Sequence, residues 1–518
     1  MSVPLKILIC SSEVAPFAKT GGLGDVAGSL PLALSGLGHD VRVAMPKYAA
    51  IDEEKHGLKM LAPLEVPISH RTVKGALWTG KIEGGECKER ANASCTQESP
   101  APKSVIPVLF IAQEGYFNRE QLYQEAGEDY RDNLARFTFF CRGTLEALKA
   151  LDWKPDVIHV NDWQTALIPV YLKTLYANDS FFEGMGTVLT IHNLAFQGTF
   201  ESELLPLTGL NWDEFVPEKL EFHGKLNLMK GGIVYADVLN TVSRQYGKEI
   251  QTEELGCGLS GLLASRSDAL YGVLNGIDYS VWNPETDRHI AQNFGPDHLK
   301  GKQACKAALQ KESGLPHRGV PLIGIISRLT NQKGCDLIGE VIEQIMGLDL
   351  QMVLLGTGMP KYHALFDQIS KRYPKKMAVH LTFDNALAHR VEAGSDMFLM
   401  PSRYEPCGLN QLYSLKYGAV PIVHATGGLA DTIVDYSPKN AQQGTANGFV
   451  FREYSGGALL VAIKLAVATY QDRETWLQLM RTGMKQDFSW MSSAAEYVSL
   501  YRKAKHQACL AEDAKPQP

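Results

Sequence analysis

Apolar and polar positions divide the chain into short apolar runs and longer segments with helical spacing. The first run, residues 6–10, is followed by an apolar, small-residue segment at 26–37 and a second run at 40–45. A buried strand, a helix and another strand in this order are typical of a parallel βαβ unit. The alternation continues through the first half, where strands are predicted at residues 6–10, 40–45, 76–82, 105–111, 156–160, 187–191 and 237–243.

The alternation restarts near residue 270 and predicts a second doubly wound α/β domain, without a visible sequence repeat. Between the strands of the first half, residues 83–103 are rich in Gly, Ser, Pro and charge, and predict an exposed loop. Strands of the second half are predicted at 321–327, 351–356, 378–382, 396–400 and 419–423, and helices of the whole chain at 129–151, 226–235, 334–346, 361–373 and 494–505.

Composition and charge exclude several classes of protein. The 518 residues are 45% hydrophobic and 21% charged, which is typical of a soluble globular protein with more than one domain. A net charge of −6 argues against a nucleic-acid partner or an anionic membrane, since either would need a basic face. No apolar run reaches membrane length, and the first strand begins too early to leave room for a signal peptide.

The nine cysteines form no C-x-x-C motif and no Cys/His cluster. Neither a metal site nor a disulfide framework is therefore predicted, and a reducing compartment is favoured. The expected location is the cytoplasm of a bacterium, or the plastid stroma if a transit peptide has been removed.

Residues 19–25, KTGGLGD, connect the first predicted strand to the first predicted helix. A glycine-rich loop in this place lets backbone N–H groups and the positive helix end face an anion, and Lys19 adds a full charge. The spacing matches neither the dinucleotide motif nor the P-loop motif. Local chemistry leaves two interpretations open: a phosphate site, or a tight turn whose glycines only let the helix pack on the strand.

Two more candidates in the first half follow predicted strands at their carboxyl ends, where open parallel sheets bind ligands. They are Asp162, after the strand at 156–160, and His192, after the strand at 187–191. Taken singly, Asp162 is typical of a helix N-cap and His192 of a satisfied loop histidine. Their common position at strand ends, shared with Lys19, favours a functional interpretation.

In the second half, Arg328 and Lys333 follow the predicted strand at 321–327. Two cations at this edge suit a diphosphate, because they neutralise its charge and stabilise it as a leaving group. Two solvated loop charges are the alternative. Glu405 precedes a glycine that starts a helix, which predicts another anion site.

Five motifs together resemble those of bacterial glycogen synthases and plant starch synthases, which are retaining glycosyltransferases of the two-domain GT-B architecture. They occur in that family's order and span almost the whole chain, so that the set is highly specific. The motifs are residues 19–25 (KTGGLGD), 192–194 (HNL), 327–334 (SRLTNQKG), 405–409 (EPCGL) and 426–429 (TGGL).

The resemblance implies a fold and an activity. Two Rossmann-like, doubly wound α/β domains would face each other across a cleft, and the C-terminal helix would cross back to the first domain. Residues 1–268, completed by 486–518, would form the first domain, and residues 269–485 the second. The enzyme would be a hexosyltransferase that moves glucose from ADP-glucose to the non-reducing end of an α-1,4-glucan, glycogen or starch, with retention of configuration. It would need no metal and no cofactor, because protein cations do that work.

The resemblance also implies roles for single residues. Arg328 and Lys333 would stabilise the departing ADP, and Lys19 would reach the phosphates from the opposite domain as the cleft closes. Glu405 would hold the hydroxyls of the donor glucose, and His192 would contact that glucose. These five are the expected catalytic residues. Substrate contacts are expected from Gly21, Gly22, Asp25, Asp162, Asn193, Asn275, Phe383 (against the adenine), Cys407, Gly408, Leu409 and Asn410.

Three positions depart from the wider pattern. Tyr413 stands where many retaining enzymes of this architecture place a second glutamate, Ser260 where the family often has an acid, and Asn410 where many bacterial members have threonine. Three alternative functions remain open: a phosphorolytic enzyme that uses pyridoxal phosphate, a glucan-binding relative without activity, and another retaining transferase such as a sucrose or trehalose synthesiser.

Overall fold

A computed structural model describes residues 3–84, 104–125 and 127–513 of the chain. The loop expected at 83–103 therefore lies almost entirely outside the described residues. The chain divides into two compact units. Unit 1 comprises Met1–Val242, Gly247–Gly276 and Trp490–Pro518, and unit 2 comprises Ser243–Tyr246 and Ile277–Ser489.

Unit 1 is built on a nine-stranded sheet with the order β14-β13-β9-β8-β1-β2-β5-β4-β3. The strands from β14 to β5 in this order are parallel, whereas β4 pairs antiparallel with both β5 and β3. The strands of unit 1, including those of two small antiparallel sheets, are β1 Lys6–Cys10, β2 Asp40–Pro46, β3 Lys59–Ile68, β4 Arg71–Glu83, β5 Val105–Ala112, β6 Gln124–Glu125, β7 Glu128–Asp129, β8 Val157–Asn161, β9 Gly186–Ile191, β10 Thr199–Glu201, β11 Glu221–Phe222, β12 Lys225–Asn227, β13 Val238–Thr241 and β14 Leu270–Gly272.

The centre of this sheet consists of apolar β-branched and Leu-rich strands that are buried along most of their length, as expected where helices cover both faces. The first helices of the chain are α1 Gly22–Gly36, α2 Glu53–His56, α3 Glu114–Phe117, α4 Asn133–Ala150, α5 Leu167–Lys173, α6 Leu228–Tyr235, α7 Arg244–Glu249 and α8 Ser260–Ser265.

Unit 2 contains a six-stranded, wholly parallel sheet with the order β17-β16-β15-β18-β19-β20. Its strands are β15 Leu322–Ile326, β16 Gln351–Leu355, β17 Met377–His380, β18 Met397–Met400, β19 Val420–His424 and β20 Phe449–Phe451. Its helices are α9 Lys300–Glu312, α10 Cys335–Gly347, α11 Pro360–Arg372, α12 Asn385–Gly394, α13 Asn410–Lys416, α14 Gly427–Thr432, α15 Pro438–Gln442, α16 Gly456–Tyr470 and α17 Arg473–Met484.

The last helix, α18 Trp490–Asp513, returns to unit 1 and packs on its sheet. Tyr501 Oη lies 3.0 Å from His159 Nδ1 in β8, and Asn240 of β13 donates to Tyr497 Oη at 3.2 Å. Gly186 begins β9 where α18 passes, and a Cβ there would lie 2.5 Å from the carbonyl carbon of Ala504. The predicted return of the C-terminal helix is therefore confirmed.

In both sheets the strand order reverses direction once. In unit 1 the chain builds from β1 outward to β2 and β5, then resumes on the other side of β1 with β8 and β9. In unit 2 it builds from β15 to β17, then resumes beside β15 with β18. Ligands of open α/β sheets bind at such a reversal, outside the carboxyl ends of the strands. The reversals thus lie between β1 and β8 and between β15 and β18.

The fold class predicted from the sequence, α/β with two doubly wound sheets, is confirmed. Four helix starts were wrong. The helices predicted from residues 26 and 494 begin four residues earlier, at Gly22 and Trp490. The helix predicted from residue 129 begins at Asn133, because Glu128–Asp129 pairs with Gln124–Glu125. The helix predicted from residue 226 begins at Leu228, because Lys225–Asn227 is a strand. No helix within the described ranges is long and apolar enough to cross a membrane.

Candidate functional site

The loop after β1 is organised by Glu13, a buried carboxylate that sequence reasoning did not select. It accepts hydrogen bonds from the Thr20 and Gly21 backbone N–H groups at 2.5 and 3.2 Å, and from the Thr20 hydroxyl at 2.7 Å. The Tyr123 hydroxyl donates a fourth bond at 2.8 Å. Two of the amides that were expected to face a substrate anion therefore bind a carboxylate of the chain itself.

Lys19 precedes these amides, and its side chain is 49% exposed. Its ammonium forms an ion pair with Asp25, in the first turn of α1, at 2.8 Å. Gly24 allows the loop to approach the helix, because a Cβ there would lie 2.5 Å from the Lys19 Cβ. Gly21 and Gly22 lie at the start of α1, with Gly21 as its N-cap. The loop therefore presents one lysine on a tightly held turn.

Asp162 and His192, which follow neighbouring strands, are in direct contact. Asp162 Oδ1 accepts the His192 backbone N–H at 2.7 Å. The interpretation of Asp162 as a helix N-cap was wrong: α5 begins at Leu167 after Ala166, and Asp162 has a left-handed φ of 55°. Burial raises the pKa of Asp162 to about 7, against the lowering effect of the His192 and Asn193 backbone N–H groups.

The tautomer of His192 follows from its neighbours. Asn161 donates its Nδ2 to the Cys10 carbonyl at 3.0 Å, so its Oδ1 is the atom that faces His192 Nε2 at 2.8 Å. His192 must then carry a proton on Nε2, which leaves the Nδ1 lone pair available. Burial lowers the pKa of His192 to about 3, and the ring is therefore neutral at physiological pH.

The two asparagines expected in unit 1 have different surroundings. Asn193 Oδ1 accepts the Ala195 backbone N–H at 3.1 Å and so stabilises the turn after His192. Asn275 is 5% exposed, and its Oδ1 has no hydrogen-bond partner among the described residues. An unpartnered buried amide oxygen is able to accept a hydrogen bond from a ligand hydroxyl.

In unit 2, Lys333 and Glu405 converge on the strand reversal between β15 and β18. Lys333 Nζ lies 2.5 Å from Glu405 Oε2, and the Ser402 hydroxyl donates to the same oxygen at 2.9 Å. Glu405 is 6% exposed. The carboxylate is thus held by a cation and a hydroxyl in a largely desolvated position. Sequence reasoning selected Lys333 and Glu405 as site residues, but predicted neither their ion pair nor the hydrogen bond from Ser402.

The loop from Glu405 to Leu409 is fixed by its neighbours. Gly428 N donates to the Glu405 and Pro406 carbonyls, both at 3.1 Å. Gly427 adopts a φ of +43°, and a Cβ on either glycine would overlap backbone atoms of this loop.

The residues at the end of this loop lie at or beside the start of α13. Cys407 is buried, Gly408 has a φ of +70°, and Leu409 is the residue before α13. Asn410 donates its Nδ2 to the Ile326 carbonyl at 2.8 Å, which ties α13 to the end of β15.

Arg328 and Phe383, like Lys19, Gly21 and Gly22, are exposed members of the predicted set. Arg328 follows β15, and its side chain forms no hydrogen bond or ion pair with the rest of the described chain. Phe383 follows β17 and is 84% exposed, next to Asp384, which caps α12. A free guanidinium and a free aromatic ring are both available for a ligand with phosphate and a flat base.

Within the described residues, no group of three or more His, Cys, Asp or Glu side chains could hold a metal ion. Arg328 and Lys333 bring two positive charges to the strand reversal of unit 2, while the nearby Arg403 forms an ion pair with Asp336 at 3.2 Å. Any diphosphate bound there would be neutralised by these side chains.

Two family descriptions match the chain. "Starch synthase catalytic domain" matches residues 6–265, and "Glycosyl transferases group 1" matches residues 308–478. The chain is 47% identical over 508 residues to the glycogen synthase of Desulforudis audaxviator, covering 97% of each protein. It is 48% identical over 505 residues to the glycogen synthase of Moorella thermoacetica, covering 97% of this chain and 98% of that protein.

Solved structures agree with these matches. The catalytic domain of starch synthase IV from Arabidopsis thaliana, bound to ADP and acarbose, superposes with a TM-score of 0.86 and 34% identity, covering 97% of this chain and 100% of that one. Sucrose-phosphate synthase from Thermosynechococcus elongatus superposes with a TM-score of 0.55 at 15% identity, and shares the fold.

Proposed function

Since the chain belongs to the family of glycogen and starch synthases, we propose that it transfers glucose from ADP-glucose to the non-reducing end of an α-1,4-glucan, with retention of configuration. The observation that carries this proposal is the cluster of Lys333, Glu405 and Ser402 at the strand reversal of unit 2. It combines a cation for phosphate with a buried, oriented carboxylate for sugar hydroxyls.

Unit 2 binds the nucleotide sugar in this proposal. Arg328 and Lys333 neutralise the diphosphate as the C1–O bond of the donor breaks, and fixed charges of this kind are worth several kcal/mol in a transition state. Glu405 accepts hydrogen bonds from the donor glucose. Phe383 stacks on the adenine, and Cys407, Gly408, Leu409 and Asn410 line the phosphate side.

Unit 1 supplies the other groups. His192, neutral and oriented by Asn161 and Asp162, contacts the transferred glucose with its ring and its backbone carbonyl. Asp162, Asn193 and Asn275 bind sugar hydroxyls. Lys19 binds a donor phosphate, and Gly21, Gly22 and Asp25 shape the turn that carries it.

Retention of configuration does not require a carboxylate nucleophile here. Asp162 accepts a backbone N–H group on Oδ1, and Glu405 is held by Lys333 and Ser402 on Oε2. Both carboxylates bind sugar hydroxyls in this proposal, and neither is assigned to attack C1. We infer that the acceptor O4 attacks C1 on the face that the ADP leaves. The departing phosphate oxygen takes the proton of the acceptor hydroxyl, which balances the step without a covalent glucosyl-enzyme.

The substrates in this proposal are ADP-glucose and a glucan primer, with neither a nucleic acid nor a membrane as partner. The net charge of −6 fits that choice. We place the enzyme in a bacterial cytoplasm, where free thiols persist; Cys10, Cys141 and Cys305 are buried free thiols.

The test is incorporation of labelled glucose into glycogen, with ADP-glucose and UDP-glucose offered separately. We expect elongation with ADP-glucose. An amylase specific for α-1,4 bonds should then release all of the incorporated label from the product. Phosphate-dependent release of glucose 1-phosphate, with a bound chromophore, would favour the phosphorolytic alternative. Transfer to fructose 6-phosphate or glucose 6-phosphate would favour the sucrose or trehalose synthesiser, and no incorporation from either donor would refute the proposal.

A further inference from the structure

Glu13 is a buried carboxylate whose hydrogen bonds fix the loop that carries Lys19. Its carboxylate is 4% exposed and accepts four hydrogen bonds, from two backbone N–H groups and two hydroxyls. It stands directly after β1, at the strand reversal of unit 1. Burial is the main cause of the raised pKa of Asp162, and the charge of Glu13 is a second cause that raises it. The two carboxylates are therefore neighbours.

The groups that Glu13 binds are those that define the position of Lys19. Thr20 N and Oγ1 both donate to it, and Thr20 is the residue that follows Lys19. On the other side of Lys19, Ala18 exchanges two backbone hydrogen bonds with Val14, at 2.9 and 3.0 Å. Lys19 is therefore the residue between two fixed points, and Glu13 supplies one of them.

The carboxylate also stands at the positive end of α1, a helix of 15 residues that begins at Gly22. A negative charge is favourable at the N-terminus of a helix. The Thr20 and Gly21 amides are consequently taken up by Glu13 and are not available to a substrate phosphate. Lys19 is then the group of this loop that can reach a phosphate.

Tyr123 connects Glu13 to a neighbouring helix. Its hydroxyl bridges Glu13 Oε1 and the Ser12 hydroxyl, both at 2.8 Å. Its backbone carbonyl accepts Asn133 Nδ2 at the start of α4. Glu13 is thereby connected to the rigid helix α4 rather than to the loop alone.

We propose that Glu13 is a positioning residue for glucosyl transfer, which acts by fixing the backbone at Thr20 and Gly21 so that the Lys19 ammonium is preorganised for the donor phosphate. This inference rests on the proposed function. A displacement of a catalytic group by about 1 Å can lower turnover by about a hundredfold. Glu13 itself touches neither substrate.

The test is a double-mutant cycle between Glu13→Gln and Lys19→Ala, with kcat and both KM values measured in the glycogen assay. Glu13→Gln keeps the shape but loses the charge and one acceptor. We expect kcat to fall by at least about tenfold in the wild-type background, with the glucan KM changed by less than about twofold. In the Lys19→Ala background the same change should lower kcat by less than about twofold, because the group that Glu13 positions is absent.

Two further variants guard against a simple loss of folding. Thr20→Val removes one hydroxyl donor to Glu13 and nothing else, and is tested in the same two backgrounds if Glu13→Gln does not fold. Asp472→Asn is the matched control: Asp472 accepts two backbone N–H groups and a threonine hydroxyl at the start of α17 in unit 2, the same pattern in another place. It should leave kcat unchanged.

The outcomes separate the inference from the proposed function. A wild-type protein that incorporates no glucose contradicts the proposed function. An active wild type, with equal losses from Glu13→Gln (or Thr20→Val) in the presence and absence of Lys19, overturns the positioning role. Losses that vanish in the Lys19→Ala background support it.

Discussion

Lys19 and Lys333, the two lysines assigned to the donor phosphates, are both paired with carboxylates, but in different environments. The Lys19–Asp25 pair is 49% and 37% exposed, whereas the Lys333–Glu405 pair is 18% and 8% exposed. An exposed pair is worth about 0–1 kcal/mol and opens easily, so Lys19 can leave Asp25 for a substrate. A buried pair is strongly destabilised when one partner is removed. In the proposed function, Lys333 is consequently both a ligand for the substrate and a structural counter-ion.

Removal of Lys333 should therefore have two separable effects. Lys333→Ala is expected to lower kcat by about 100- to 1000-fold, the usual effect of losing one preorganised charge, and to lower the melting temperature because Glu405 stays buried without its cation. Combining it with Glu405→Gln should restore the melting temperature but not kcat. The exposed surface pair Lys371–Asp367 offers the control, and Lys371→Ala should change neither quantity. Full activity of Lys333→Ala would contradict the assigned role.

Asp162 makes stability depend on pH in a defined direction. Its pKa is about 7 in the folded chain against 3.8 in the reference state. Between these two pH values the native state therefore binds more protons than the unfolded state. The stabilisation that Asp162 contributes is complete below pH 3.8 and is lost as the pH rises to about 7. Between pH 5 and pH 7 the loss amounts to at most roughly 3 kcal/mol.

The measurement is the melting temperature of the wild type and of Asp162→Asn at several pH values. Asn keeps an oxygen for the His192 backbone N–H but cannot titrate. As the pH rises from 5 to 7, the melting temperature of the wild type should fall relative to that of Asp162→Asn. Parallel curves for the two proteins would show that Asp162 does not titrate in this range.

Sequence reasoning found the charged residues of the candidate site but not the groups that hold them. Lys19, Arg328, Lys333 and Glu405 stand in recognisable motifs at strand ends. Glu13 lies in the same kind of position without a glycine-rich motif around it, and its hydroxyl partner Tyr123 is 110 residues away. A hydrogen bond between residues so distant in sequence depends on tertiary packing, which a local pattern does not report. The position after β1 was the signal that could have found Glu13.

At the scale of elements, the glycine-rich turn before α14 is required by close approach to another loop of unit 2. Gly427 has a φ of +43°, and a Cβ there would overlap the carbonyl oxygen of Glu405. The turn before α14 thus fixes the position of the loop that carries Glu405. A side chain at this position would move Glu405 away from Lys333.

Gly427→Ala is expected to lower kcat by at least about tenfold and to destabilise the protein by more than the roughly 1–2 kcal/mol of a strained left-handed residue. Gly444 provides the matched control, because it has a φ of +66° with nothing within 4 Å of an added Cβ. Gly444→Ala should show the backbone strain alone, without loss of activity. Equal effects of the two substitutions on kcat would exclude a steric role for Gly427.

The elements themselves were predictable where their hydrophobic period was strong. The strands of both sheet centres were expected within one or two residues of β1, β8, β9, β15, β16 and β18, because each is a buried apolar run. The short hairpin of Gln124–Glu125 and Glu128–Asp129 was missed, since it consists of exposed polar residues without an apolar period. Polar pairing of this kind has no signature in the hydrophobic pattern.

At the scale of the whole molecule, unit 1 is made from segments that are far apart in the chain. Its sheet is complete at β14, but its helix layer is completed only by α18, after all of unit 2 has been synthesised. Ala494, Tyr497, Tyr501 and Ala504 of α18 are all at most 1% exposed. Burying one large side chain contributes about 1.5–3 kcal/mol, and whole domains are stable by only about 5–15 kcal/mol.

A chain that ends at Ser489 should therefore fail to fold unit 1 while unit 2 remains folded. Without α18, the Gly186 end of β9 would lose its contact with Ala504, and the ring of His159 its contact with Tyr501. We expect limited proteolysis of the truncated chain to degrade unit 1 and to leave a resistant fragment close to Ile277–Ser489, whereas the full chain resists cleavage in both units. The point variant Leu510→Ser changes an exposed position of the same helix and should behave as the wild type. Survival of an intact unit 1 in the truncated chain would mean that its sheet is stable without α18, and that the return of the chain serves something other than its core.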